Sequence, residues 1–411
     1  MTPDSTQPVA SREPGAGGTP TGRGGGAPPR VLVACDKFKG SLSAEQVRDL
    51  TVAAFDRAGL AAAGFLVADG GDGTLAAAAS AGFRLIPALV HGPTGAPVTT
   101  QIARLGGRAV VELADACGLE RLPGGRLAPL EASSRGLGEA IRAALAALAE
   151  GPRQLIVGVG GSASSDGGLG MVCGLGAALR GRDGRELPAR LDLIGPETTL
   201  DLAALPPQLA NADLVLASDV DAPLLGPGGA VAVFGPQKGL VGADARLREA
   251  ELAAWADLVA RTTGRDLRDA AGAGSAGGVG FGAMAVLGAR PQSGIDLVLD
   301  MVGFRSALAG AGLVVTGEGR LDRQTLMGKT VAGVARAARA AHTGGVPVVA
   351  VCGISELAPA DAAGLGLERV YQLADLERDP ARSMAEAGSL LTTLCGRLAD
   401  DWRGRLGEAT T

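Results

Sequence analysis

The sequence predicts an α/β protein built on parallel sheets, and three observations predict it. Short, wholly apolar runs recur along the 411-residue chain, as strands covered on both faces require. Alanine-rich stretches with apolar residues at helical spacing separate several of these runs. Almost every apolar run is followed at once by glycine and a carboxylate, and open parallel sheets gather their functional groups outside the carboxyl ends of their strands.

Order is expected to begin at Arg30, because residues 1–29 are rich in Pro and Gly and could build no core; they predict a disordered tail. Val31-Leu32-Val33-Ala34-Cys35 predicts the first strand. Ser43 and Gln46 form a capping box, Val47, Leu50, Ala54, Phe55 and Ala58 recur at helical spacing, and Gly59 stands where a glycine would stop that helix. Residues 64–68 predict a second strand, and strand, helix, strand implies parallel pairing. Further strands are expected at 109–112, 155–158, 214–217, 313–316 and 347–351, with helices at 137–149, 169–179 and 331–341. The uncharged run 270–289 holds seven glycines and reads as a flexible loop, not a lipid-facing helix.

Composition removes several function classes. With only two histidines, His91 and His342, a His-rich metal site or a Ser-His-Asp triad is unsupported, and a carboxylate is the expected general base. A net charge of −5 and 2% aromatic residues give nucleic-acid binding no support. The cysteines Cys35, Cys117, Cys173, Cys352 and Cys395 form no Cys-x-x-Cys pair and fit small hydrophobes in a reducing cytosol. No apolar secretory segment opens the chain. A soluble, cytoplasmic protein with no membrane or nucleic-acid partner is expected, and a homo-oligomer is left open.

The chemistry-bearing residues stand at presumed strand ends. Asp36-Lys37-Phe38-Lys39-Gly40-Ser41 follows the first strand and Asp69-Gly70-Gly71-Asp72-Gly73-Thr74 the second. Residues 160–168 form a glycine–serine turn whose N–H groups could cradle phosphate oxygens. Asp166, Asp219, Asp221, Glu318 and Asp322 complete an acidic set. Clustered carboxylates repel one another unless a cation intervenes, and Mg²⁺ with Lys37, Lys39, Lys238, Arg320 or Lys329 would supply the balance. Carboxylates, a hard metal, basic groups and glycine turns together suit phosphoryl transfer. Residues 158–163 and 272–277 match a dinucleotide fingerprint at a glycine content where chance matches are expected. Gly328-Lys329-Thr330 imitates a Walker A ending, but Arg323 occupies its required glycine position.

The blocks Asp36-Lys37-Phe38-Lys39-Gly40-Ser41-Leu42-Ser43 and Ala68-Asp69-Gly70-Gly71-Asp72-Gly73-Thr74 resemble the N-terminal signatures of the bacterial glycerate kinases. Residues 92–95, 160–168, 218–226, 234–239 and 316–329 are similar to further family blocks, in the same order, so the resemblance runs from about residue 30 to about 400. The family usually has Pro-Asp-Ser where this chain has Cys35-Asp36-Lys37.

The resemblance implies an ATP- and Mg²⁺-dependent kinase that converts D-glycerate to 2-phosphoglycerate. It also implies two α/β domains: a discontinuous flavodoxin-like parallel-sheet domain, 30–75 plus 295–405, with a second α/β domain, 76–294, inserted into it. On that reading Asp36, Lys39, Asp72, Arg320 and Asp322 are expected to be catalytic. Gly160, Gly161, Ser162, Gly167, Lys238 and Lys329 are expected to bind ATP, and Asp69, Asp166, Asp219, Asp221 and Glu318 to serve the metal. Asp36 with Asp69 or Asp72 would hold Mg²⁺ or orient the glycerate hydroxyl, and domain closure would exclude water. The alternatives are the same kinase making 3-phosphoglycerate and an NAD-dependent hydroxy-acid oxidoreductase.

Overall fold

In the first strand Val31, Val33 and Cys35 face one side and Leu32 and Ala34 the other, and all five are wholly buried. A strand apolar on both faces must be covered on both faces, and the architecture follows from that demand. The computed structural model describes residues 30–148, 153–341 and 343–408. The expected tail, Ala149 at the end of the 137–149 helix, and His342 lie outside the described residues.

Along the chain the strands are β1 (Arg30–Cys35), β2 (Ala62–Gly64), β3 (Arg84–His91), β4 (Pro97–Leu105), β5 (Arg108–Glu112), β6 (Arg153–Gly158) and β7 (Ala178–Arg180). They continue with β8 (Glu186–Leu187), β9 (Thr199–Asp201), β10 (Ala212–Ala217), β11 (Arg290–Gln292), β12 (Ala311–Leu321), β13 (Val348–Ser355) and β14 (Arg369–Gln372). One sheet is five-stranded and wholly parallel, in the order β14-β13-β12-β1-β2. Counted along its own strands that order is 2-1-3-4-5, the flavodoxin-like winding, with its switch point between β1 and β12. The second sheet, β11-β10-β6-β5-β4-β3, is parallel from β11 to β5 and antiparallel at β4 and β3. A small antiparallel sheet, β8-β7-β9, stands apart from both.

Layers of helix and sheet alternate. Helices Ala44–Arg57 and Ala387–Glu408 cover the outer face of the first sheet, packing on Val33, Val315 and Val351. Helices Thr74–Ser80, Gly294–Met301 and Thr330–Ala340 lie between the sheets. There one apolar cluster joins Leu32, Val314 and Ala350 of the first sheet to Val110, Ile156 and Val215 of the second. Helices Arg135–Ala147, Leu169–Leu175, Gly242–Thr263 and Ser275–Ala285 cover the far face of the second sheet.

The fold is α/β as expected, and the capping box is present in full. Gln46 N–H donates to Ser43 Oγ at 3.2 Å and Ser43 N–H to Gln46 Oε1 at 2.9 Å. Gly59, just past that helix, has φ +76°. Three expectations are corrected. The second strand ends at Gly64 instead of Ala68: only the Phe65 N–H still reaches Val33 O, at 2.8 Å, because Leu66 and Val67 turn into the cluster between the sheets. The helix expected over 169–179 stops at Leu175, where Gly176 adopts φ +133° with its Cα packed against Ala204 O, and β7 follows. The 270–289 run is not a loop. Ser275–Ala285 is helical and buried, with its first turn bent by left-handed Ala276, Gly277 and Gly278. Its glycines permit close approach: a Cβ on Gly278 would stand 2.7 Å from Gly167 Cα.

Candidate active site

Asp36 leaves β1 with its N–H donating to Gly317 O at 2.8 Å, so it emerges beside Glu318 of β12 at the point where the strand order reverses. Its carboxylate accepts the Lys37 N–H at 2.7 Å on Oδ1 and the Thr330 hydroxyl at 3.0 Å on Oδ2. Burial, with the Asp69 charge added, pushes Asp36 up to about 6. Glu318 accepts the Thr325 hydroxyl at 2.5 Å, and burial pushes it up to about 7 against that hydrogen bond, with the Asp36 charge adding to the rise. Two desolvated acids thus share the switch point, where doubly wound sheets place their ligands.

Asp69 comes from the turn after residues 65–68 and accepts the Gly71 N–H at 3.2 Å. Its charge acts on Asp36 from one side and on Asp219 from the other. Asp219, just past β10, accepts Gly294 N–H at 3.1 Å and Ile295 N–H at 3.4 Å, capping the helix Gly294–Met301. Burial pushes Asp219 up to about 6. Carboxylates from both sheets therefore converge through Asp69.

Asp72 is exposed, and its carboxylate and carbonyl oxygen both accept from Lys37 Nζ. The turn itself is held by Glu112, a buried acid ending β5. Its two oxygens accept Gly73 N–H at 3.2 Å and Leu75 N–H at 3.0 Å, the free donors of the helix Thr74–Ser80. Burial pushes Glu112 up to about 7.

The 160–168 turn meets this group through glycines: Gly71 and Gly160 touch backbone to backbone. Its second half is committed internally. Gly167 N–H donates to Gly277 O at 3.0 Å, and a Cβ there would lie 2.5 Å from the Trp255 ring. Asp166 is turned inward. It accepts Ser134 N–H at 2.8 Å, the Ser134 hydroxyl at 2.9 Å, the Ser133 hydroxyl at 3.4 Å, and the N–H groups of Gly168 and Gly170 at 3.2 Å. Four of these five donors meet Oδ2 and only the Gly168 N–H meets Oδ1, so Asp166 ties Ser133 and Ser134 to the turn that opens the helix Leu169–Leu175. Lys238 is also buried, donating at 2.6 Å to both Ser162 Oγ and Ser164 O, and burial lowers it to about 7. It braces the turn from inside.

The remaining expected residues line the rim. Lys39 is exposed, its backbone N packed against Gly319. Arg320 pairs with Glu356. Asp322 accepts Gln324 N–H at 2.7 Å, and Lys329 donates to Gln324 Oε1 at 2.8 Å. Asp221 is exposed and Asp219 is its only acidic companion on that strand end. Among the described residues no three His, Cys, Asp or Glu side chains form a ready metal cage. Mg²⁺, however, is commonly held by one or two carboxylates together with water and substrate phosphates. Asp69 and Asp219 fit that need: both are all-oxygen donors, and the Asp69 charge raises Asp219.

Residues 31–403 match the model of the glycerate kinase family. The chain belongs to the glycerate kinase family. It is 41% identical to the glycerate kinase of Bacillus subtilis (strain 168) over 329 residues, covering 79% of this chain and 85% of that one. It is 38% identical to the glycerate 2-kinase of Escherichia coli (strain K12) over 331 residues, again 79% and 85%. A solved structure of a glycerate kinase 2 from Salmonella typhimurium LT2 superposes with a TM-score of 0.77 at 34% identity, covering 92% of this chain and 99% of that chain. Glycerate kinases are phosphotransferases, and the dinucleotide pattern at 272–277 is accounted for by the buried bend that opens Ser275–Ala285.

Sequence reasoning missed Glu112, Thr325 and Thr330. Glu112 carries the same signal as the others, a carboxylate closing an apolar run, but the helix end it caps lies 39 residues away. No helix of the described residues is long and apolar enough to cross a membrane.

Proposed function

We propose that this chain transfers the γ-phosphoryl group of ATP to D-glycerate, giving 2-phosphoglycerate and ADP, in the cytoplasm. The observation that carries the reading is the convergence of Asp36, Asp69, Asp219 and Glu318 at the carboxyl ends of β1, β10 and β12. Asp36 accepts the proton of the substrate hydroxyl as its oxygen bonds phosphorus and the β–γ bridging bond breaks toward ADP. Burial holds that carboxylate near neutrality, where a general base works best. Asp69 and Asp219 would hold Mg²⁺, which supplies neutralisation of phosphate charge when bound. Lys39, whose backbone N packs against Gly319, and Arg320, the residue after it, serve the substrate carboxylate and the transferring phosphate. The N–H groups of Gly160, Gly161 and Ser162 cradle ATP phosphates, while Gly167 and Lys238 hold the turn in shape.

The domain division proposed is 30–75 plus 295–405, with 76–294 inserted. Strand membership supports it: β1, β2 and β12 to β14 make one sheet, and β3 to β6 with β10 and β11 make the other. Phosphorus NMR of the product from Mg-ATP and D-glycerate tests the reading. A 2-phosphoglycerate resonance is expected; the 3-phosphate would correct the regiochemistry, and ATP left intact would remove the assignment.

A further inference from the structure

Asp36 and Glu318 are held by two hydroxyls from a single short stretch of chain. β12 ends at Leu321 and the helix Thr330–Ala340 begins nine residues later, so residues 322–329 bridge the carboxyl end of the sheet. We propose that Thr325, inside this bridge, and Thr330, the first residue of the helix that follows it, are positioning residues for phosphoryl transfer: together they fix the carboxylates of Glu318 and Asp36 in their working geometry. The proposal rests on those two acids belonging to the catalytic site.

The proton directions follow from the partners. The Thr325 oxygen accepts the Asp322 N–H at 3.0 Å, so its own proton is left to donate to Glu318 Oε1, at 2.5 Å. The Thr330 hydroxyl donates to Asp36 Oδ2 at 3.0 Å, while Oδ1 is already occupied by the Lys37 N–H. Asp36 is thereby held at both oxygens, with rotation about its side chain arrested. Both threonines are buried, at 1% and 0% exposure, so water does not compete for their hydroxyls.

The bridge is itself stiffened by groups that look chemical in the sequence. Asp322 accepts the Gln324 N–H at 2.7 Å and closes the turn, and Thr325 N–H returns to Asp322 O at 3.0 Å. Lys329 Nζ reaches back to Gln324 Oε1 at 2.8 Å. Gly328, at φ +95°, supplies the left-handed step that lets the chain turn into the helix. Asp322 and Lys329 act through the bridge, and the threonines are its contacts with the acids. Carboxylates fixed before substrate arrives need no reorganisation during transfer.

The test is steady-state glycerate-dependent ADP release by the full chain carrying Thr330→Val, Thr330→Ser, Thr325→Val or Thr325→Ser, with melting temperatures measured alongside. Valine keeps the shape and removes the hydroxyl; serine keeps the hydroxyl. Each Val variant is expected to lower kcat about 10- to 100-fold, the range for a lost hydrogen bond to a charged group. KM for ATP and glycerate should stay near wild type, and each Ser variant should recover most of kcat. Val variants with wild-type kcat overturn the proposal. So do Ser variants that fall as far as Val, or a loss confined to KM. An inactive wild-type protein sinks the kinase reading and the bridge's role with it, whereas an active wild type beside indifferent Val variants sinks the bridge alone.

Discussion

Gly71 and Gly160 pack Cα against Cα: a Cβ on Gly160 would stand 2.5 Å from Gly71 Cα, and one on Gly71 would stand 3.0 Å from Gly160 Cα. This contact brings the turn carrying Asp69 and Asp72 onto the turn that opens the 160–168 segment, joining groups from two sheets. Gly160→Ala should therefore separate the two turns. Forced overpacking of this kind costs about 1–3 kcal/mol, with kcat falling as Asp69 moves. Gly228→Ala is the control, since its Cβ would meet nothing within 4 Å. Equal melting temperature and kcat for both variants would show that the contact is dispensable.

Asp36→Asn should lower kcat by about 10²- to 10⁴-fold, the usual contribution of a general base. In the wild type kcat should rise with pH through about 6, because the base is competent only when ionised. The Asn variant should lose that limb. Asp72→Asn, at an exposed carboxylate paired with Lys37, should cost less. A pH–kcat profile unchanged by Asp36→Asn would place the base elsewhere.

Arg320→Ala should raise the KM for glycerate with a smaller effect on kcat. The guanidinium is exposed and its partner Glu356 is exposed as well, so the pair can exchange for a substrate anion at little cost. An unchanged glycerate KM would leave Arg320 as a surface ion pair and nothing more.

Glu112 gives a stability prediction with a definite sign. Its folded pKa, about 7, is above its ordinary 4.5, so between those values the folded state binds more protons than the unfolded one. Its contribution is present in full below pH 4.5 and is lost as pH rises through about 7, at up to about 1.4 kcal/mol per pH unit. Glu112→Gln should make the fall in unfolding free energy over this window shallower, and should weaken the cap on Thr74–Ser80. Denaturant melts across pH 4.5–7.5 would decide; parallel slopes for the two proteins would refute it.

Lys238 works in the opposite direction. Burial lowers it from 10.5 to about 7, so between these values the unfolded chain binds the extra proton and stability rises with pH. Lys238→Met should flatten that rise while freeing Ser162 and Ser164 from their shared donor. Hydrogen exchange at residues 160–168 should accelerate in the variant, and protection equal to wild type would exclude a bracing role.

Much of this was legible along the chain. The β1 run, the capping box at Ser43 and Gln46, and carboxylates closing apolar runs are local patterns, each fixed by neighbours within a few residues. The antiparallel pair β3 and β4 was not legible: Pro87 breaks the apolar run 85–90 of β3, and β4 mixes polar and apolar residues that are half-exposed. The 270–289 run misled for a related reason. Glycine density signals flexibility in isolation, but here it permits a buried helix to approach Gly167 and Gly272.

The sequence by itself determined the α/β class, the family, and the set of acids standing at strand ends. Only the tertiary structure decided which of them come together. Asp36 meets Thr330 across 294 residues of chain, Glu112 turns to cap a helix, and Asp166 turns inward onto Ser134 while Asp69 stays with Asp36 and Asp219. A strand-end carboxylate looks the same in every case along the chain. Its role is set by which strands lie beside its own and by whether the donors it meets there come from the protein or are left for a ligand.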